Sequence, residues 1–228
     1  MTTNQQHHSM KLCSRLIWSI LSTLWLVGCS SQSFVPPSSK GADTPQEQVR
    51  FLYQQIVDGN QEKFVSGFEI KTADELELVR SLFRGAQATM RLREQVEKNY
   101  GDESWSRLSE PTKGRKTDSV RISFYFSPKQ VGADALDLLP ADAESDTYTT
   151  SALGTPPLEL KRRNGWLAQP AWGLLPSAEI AKCTNVINDL TKALESHRRS
   201  LQGNSTKSFE DFHFEFANDL IDIMFGIR

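Results

Sequence analysis

Beyond residue 44, apolar side chains recur every three or four positions in five stretches, and between the third and the fourth lies a region of alternation. The first stretch puts Val49, Leu52, Tyr53 and Ile56 on one helical face. Thr44-Pro45-Gln46-Glu47 supplies an N-cap threonine, a proline at the first helical position and a glutamate at the third: a capping box. Asp58-Gly59-Asn60 stops that helix, and Asn60 can cap a short second one carrying Phe64, Val65 and Phe68. A second capping box, Thr72-Ala73-Asp74-Glu75, opens the longest helix. Its stripe of Leu76, Val79, Phe83, Ala86 and Met90 shifts to Leu92, Val96 and Tyr100 before Gly101 ends it. At the α-helical rise it extends about 40 Å, enough to cross one face of a small sheet. Two helices close the chain. Residues 177–201 carry Ile180, Cys183, Val186, Ile187, Leu190, Leu194 and Leu201, and residues 207–225 carry Phe209, Phe212, Phe216, Leu220 and Ile223.

The alternating region predicts strands. Val120, Ile122, Phe124 and Phe126 alternate with Arg121, Ser123 and Tyr125 up to Pro128. A loop over 128–145 follows, with room for one helical turn at 133–139. Residues 148–153 and 158–162 read as further strands, and Asn164-Gly165 turns the second into a hairpin with residues 165–168.

The N-terminus has a different character. Lys11 and Arg15 are basic, no acidic residue precedes Asp43, and a 12-residue apolar run extends from Leu16 to Val27. That run suits the hydrophobic region of a signal peptide and falls short of the roughly 20 residues a spanning helix needs. It ends in Leu26-Val27-Gly28-Cys29, which resembles the lipobox of bacterial lipoprotein signal peptides. The resemblance implies cleavage between Gly28 and Cys29 and a lipid group on the Cys29 thiol. The partner is then the lipid bilayer, and the location is the cell envelope. Ser30 and Ser31 stand where an aspartate would resemble an inner-membrane retention signal, which favours the outer membrane of a two-membrane bacterium. Met10-Lys11-Leu12 also reads as a signal start, which would leave His7 and His8 outside the mature protein. The expected organisation is a signal peptide at 1–28, a flexible Ser/Pro tether at 29–44, and a single α+β domain at 45–228.

Charge and composition exclude some functions. The whole chain has 26 Lys+Arg against 28 Asp+Glu. Loss of Lys11 and Arg15 leaves 24 against 28, so the mature chain has no basic excess of the kind nucleic-acid binding requires. Lys113-Gly114-Arg115-Lys116 and Lys161-Arg162-Arg163 are short runs without interleaved aromatics, and Arg80, Arg84 and Arg91 read as a solvated strip paired with glutamates. Cys183 is the only mature thiol besides Cys29. It lies on an apolar face with nothing nearby in sequence to lower its pKa.

Candidates for metal or catalytic chemistry are sparse. Glu210-Asp211-Phe212-His213 contains one Glu-x-x-His, where a carboxylate-bridged metal site needs two and further carboxylates. His197, near a helix end, reads as a cation favourably placed on the helix dipole. Asp142, Glu144 and Asp146 alternate like a calcium loop, but Thr147 and Leu153 occupy the positions where that loop needs Gly and Glu. No catalytic, metal or cofactor site follows from these patterns.

The element order supports a second resemblance. A helix ending in Asp58-Gly59-Asn60, a long helix, strands, and a late strand Leu158-Glu-Leu-Lys-Arg-Arg-Asn-Gly-Trp166 resemble the NTF2-like (nuclear transport factor 2-like) cone fold of secreted and lipoprotein members. The likeness covers about residues 45–172. It implies N-terminal helices, including the long one, packed on a curved antiparallel sheet, with the C-terminal helical pair at about 177–226 added. On that reading the concave sheet binds an envelope protein or a small apolar ligand. The alternatives are an acid–base enzyme of isomerase or hydrolase type, using Tyr53, Tyr125, Tyr148 or His213, and a structural protein that self-associates through its C-terminal helices.

Overall fold

The helices begin where their caps dictate. In a computed structural model describing residues 34–108, 147–150, 158–170, 176–203 and 207–224, Thr44 caps α1 (Pro45–Val57) with both hydrogen bonds of the capping box in place. Thr72 does the same for α3 (Ala73–Tyr100). Between them Asn60 accepts from the Lys63 amide and opens α2 (Gln61–Ser66). A short α4 (Ser104–Arg107) follows α3. The sheet consists of β1 (Thr147–Thr150), β2 (Leu158–Arg163) and β3 (Gly165–Pro170), all antiparallel, in the order β1-β2-β3. The last two helices are α5 (Ser177–Gln202) and α6 (Phe209–Met224).

The strand register centres the hairpin turn on Asn164: Arg162 pairs with Trp166 and Arg163 with Gly165. Gly165 has φ +103°, a left-handed conformation that a side chain would strain.

The central feature is the pairing of α3 with α5. Arg84 reaches Asn188 (3.3 Å), Arg91 reaches Glu195 (2.9 Å) and Asn99 reaches the Leu201 carbonyl (3.0 Å). The sequence offset stays near 104 residues along the whole contact, so the two helices run parallel. Their buried and half-buried positions repeat at spacings of three and four: Leu78, Leu82, Gly85, Thr89, Leu92 and Val96 on α3, and Ile180, Cys183, Ile187, Leu190, Leu194, His197 and Leu201 on α5. That is the heptad pattern of a parallel two-stranded coiled coil. Gly85 fits close contact, since a Cβ there would lie 3.3 Å from the Thr191 hydroxyl.

α3 is buried on two sides. Its N-terminal half meets α2 through Phe83, which lies 5.3 Å from Phe64, itself 5.0 Å from Phe68. Its C-terminal half joins α4, α5 and α6 in one apolar cluster that includes Leu92, Trp105, Leu194, Phe212, Phe216 and Leu220. Each such fully buried side chain contributes about 1.5–3 kcal/mol relative to exposure.

These observations correct two expectations. Among the described residues the fold is mainly helical with a small antiparallel sheet, and it is not the NTF2-like cone. The α3 stripe that would cross a curved sheet meets α2 instead, through Phe83, and the face beside it, with Leu78, Leu82 and Gly85, meets α5. The Asp58-Gly59-Asn60 stop and the Gly165-Trp166 strand are local features that occur here in a different architecture.

The second correction concerns the tether. Lys40 N–H donates to the Ser66 carbonyl (2.8 Å), Ser39 Oγ to the Phe68 carbonyl (2.9 Å), and Ala42 forms a two-way backbone bridge with Trp166. Residues 39–42, inside the segment expected to be tether, are therefore bonded to the domain. The predicted strand at 120–126, the loop at 128–145, and Gly28 and Cys29 lie outside the described residues.

Candidate functional site

Among the described residues, one set of polar groups that the fold brings together lies along the α5–α6 seam. α6 returns antiparallel to α5, and His197 Nε2 lies 3.0 Å from Asp219 Oδ2 across it. His197 is 8% exposed and sits edge-on to the rings of Phe212 and Phe216. An ionised carboxylate accepts only, so Nε2 carries the proton in this pair. Burial among the rings pulls the His197 pKa below its ordinary value of 6.5, against the upward pull of Asp219 and, further off, Glu215. At neutral pH the ring is a neutral donor that joins two helices, and the chemistry open to it is proton uptake in acid.

This corrects the reading of His197 as a dipole-facing cation. The heptad positions 190, 194, 197 and 201 carried the signal, because His197 continues the spacing of Leu190, Leu194 and Leu201. Asp219, one residue before buried Leu220, had no signal of its own.

Beside the pair runs an open groove of about 490 Å³, lined among others by Val186, Asp189, Lys192, Ser196, Asp219 and Asp222. Lys192 is held by Asp189 at 2.8 Å. On the opposite side of α5, Glu195 bonds Arg198 (2.8 Å) and Arg91 (2.7 Å). Burial alone would raise its pKa, but these two guanidiniums hold it below the usual carboxylate range.

Most other candidates resolve into structural roles. Arg80 pairs with Glu62 (3.5 Å), Arg84 with Glu77 (2.6 Å) and Arg91 with Glu195, so the α3 arginine strip is neutralised. Cys183 is half-buried, packs against the Leu78–Ile180 cluster, and has its pKa raised by burial and by Glu179. Glu210 is exposed and pairs with Arg107 (3.3 Å), while His213 is buried with its ring 5.7 Å from Phe209, so the Glu-x-x-His spacing builds no shared ligand site. Among the described residues no group of three His, Cys, Asp or Glu could hold a metal ion.

Of the residues considered for catalysis, Tyr53 is on α1, Tyr148 on β1 and His213 on α6. Tyr125 lies outside the described residues, as do Asp142, Glu144, Asp146 and the 113–116 basic run. No helix among the described residues is long and apolar enough to cross a membrane. Comparison with protein-family models, curated proteins and solved structures finds no match to this chain.

Proposed function

We propose that the protein is a lipid-anchored bacterial envelope protein whose helical domain works by binding, as an accessory module, and not by catalysis. The observation that carries this is the order of features before residue 30: Lys11 and Arg15, a 12-residue apolar run, then Leu26-Val27-Gly28-Cys29. A lipid chain buries about 0.8 kcal/mol per CH₂, and two or more chains on one cysteine anchor a protein stably. Ser30 and Ser31 favour the outer membrane where two membranes exist. The binding reading is supported by the α5–α6 groove and by a His197–Asp219 pair that is engaged in holding two helices together.

The test is metabolic labelling with radioactive palmitate, combined with detergent phase partition, on the wild type and Cys29→Ser. The wild type should carry label and enter the detergent phase, and the variant should lose both. Label or detergent partition unchanged by Cys29→Ser refutes the anchor.

A further inference from the structure

Where the tether meets the domain is fixed. A Cβ on Gly41 would fall 2.5 Å from the Gly165 carbonyl carbon, so Lys40 is held beside the β2–β3 turn. That corner carries the exposed cations Lys40, Lys71, Arg162 and Arg163. Arg163 and Lys71 flank one carboxylate, Glu69, at 3.9 and 3.7 Å. The cations protrude and this carboxylate is recessed: Lys71 and Arg163 side chains are 62% and 60% exposed, and Glu69 is 22% exposed. Lys161 and Glu159 pair at 3.2 Å and cancel, while Asp43 and Glu47 are the exposed acids of the corner.

Ten residues separate Cys29 from Lys40. A chain of that length spans about 18 Å on average and at most about 40 Å. The unit Pro36–Arg228 is itself on the order of 40 Å across. The average reach is less than half the width of the domain, so on average the face carrying Lys40 lies nearest the anchor.

We propose that this corner, with Lys40, Arg163 and Lys71 outermost, lies against the anionic headgroups of the anchoring bilayer and sets the orientation of the domain. The inference rests on the acylation of Cys29 proposed above. Each basic residue near an anionic surface strengthens partition about fivefold, an effect that falls off within a Debye length.

The test uses the acylated full chain in vesicles, with Cys183→Ser and a single reporter thiol at Asn164→Cys or, for comparison, Lys192→Cys on α5. A nitroxide on each reports collision with a water-soluble relaxing agent. On vesicles with phosphatidylglycerol the Asn164 site should be several-fold less accessible than the Lys192 site. The difference should vanish on pure phosphatidylcholine, in 1 M salt, or with Lys40→Glu and Arg163→Glu together. Equal accessibility of the two sites on anionic vesicles overturns the orientation while lipid label on Cys29 leaves the anchor standing. Absence of that label overturns both. The salt and lipid arms use unaltered corner charges, so a folding defect in the charge-reversed variant cannot decide the result.

Discussion

Gly41→Ala is a severe change for a single methyl group. The new Cβ would lie 2.5 Å from the Gly165 carbonyl carbon, 2.7 Å from the Trp166 nitrogen and 2.8 Å from Gly165 Cα. All three are backbone atoms, and Gly165 is already committed to φ +103°, so neither side can yield by a side-chain rotation. Overpacking of this kind costs about 1–3 kcal/mol. The clash is relieved by moving residues 39–42 away, which breaks the bridge in which Trp166 N–H donates to Ala42 O (2.7 Å) and Ala42 N–H to Trp166 O (3.3 Å). Each bond contributes about 0.5–1.5 kcal/mol, so by either route, strain kept or bridge broken, the loss is about 1–3 kcal/mol. For a domain of this size that lowers Tm by roughly 2–12 °C. Urea unfolding followed by circular dichroism measures it, with Gly203→Ala as control, since the nearest atom to a Cβ there is 3.7 Å away. Limited proteolysis adds a local readout: the bond after Lys40 should be cut faster by trypsin in the variant. Stability within 0.5 kcal/mol of wild type, with unchanged cutting after Lys40, would show that residues 39–42 are tether after all.

Further outcomes follow from the α5–α6 seam. The folded-state pKa of His197 is lowered, so below 6.5 the unfolded chain binds more protons than the folded one. Stability should therefore fall as pH drops from 6.5 through the folded value, and His197→Gln should remove that part of the slope. Superimposable pH dependences of the urea midpoint for wild type and variant would refute the assignment. Phe216 is fully buried, stacked 5.6 Å from Phe212 and 5.2 Å from His197. Phe216→Ala should cost about 3–5 kcal/mol, read as a shift of the same midpoint, and a loss below 1 kcal/mol would mean that α6 does not close this cluster.

Much of the local structure was legible because its causes are local. Thr44 and Glu47, or Thr72 and Glu75, lie within one helical turn of each other, so a capping box written in the sequence forms regardless of what packs later. The stops at Asp58-Gly59 and Gly101, and the β2–β3 hairpin, were readable for the same reason. The covering of α3 was not. A stripe at helical spacing states that a face is buried and leaves open whether a sheet or a helix buries it. The apolar run from Ile180 to Leu201 has heptad spacing, but its mate on α3 lies some 104 residues away, so no local signal joins the two.

His197 illustrates the same limit at the scale of one residue. In the sequence it stands among Glu195, Arg198 and Arg199 and looks like a surface cation. Its burial, lowered pKa and bond to Asp219 arise from the rings of Phe212 and Phe216, which arrive on another helix.

The sequence by itself determined α1, α2, α3, α5, α6 and the β2–β3 hairpin to within a few residues, and that a basic and apolar stretch precedes Cys29. These depend on groups a few residues apart. Only the tertiary structure decided that α3 and α5 pair in parallel, that α6 seals His197, and that residues 39–42 are fixed to the end of α2 and to β3. Each of these depends on surfaces and backbone edges meeting across tens to more than a hundred residues, where complementarity is tested in space and leaves no fixed spacing to read.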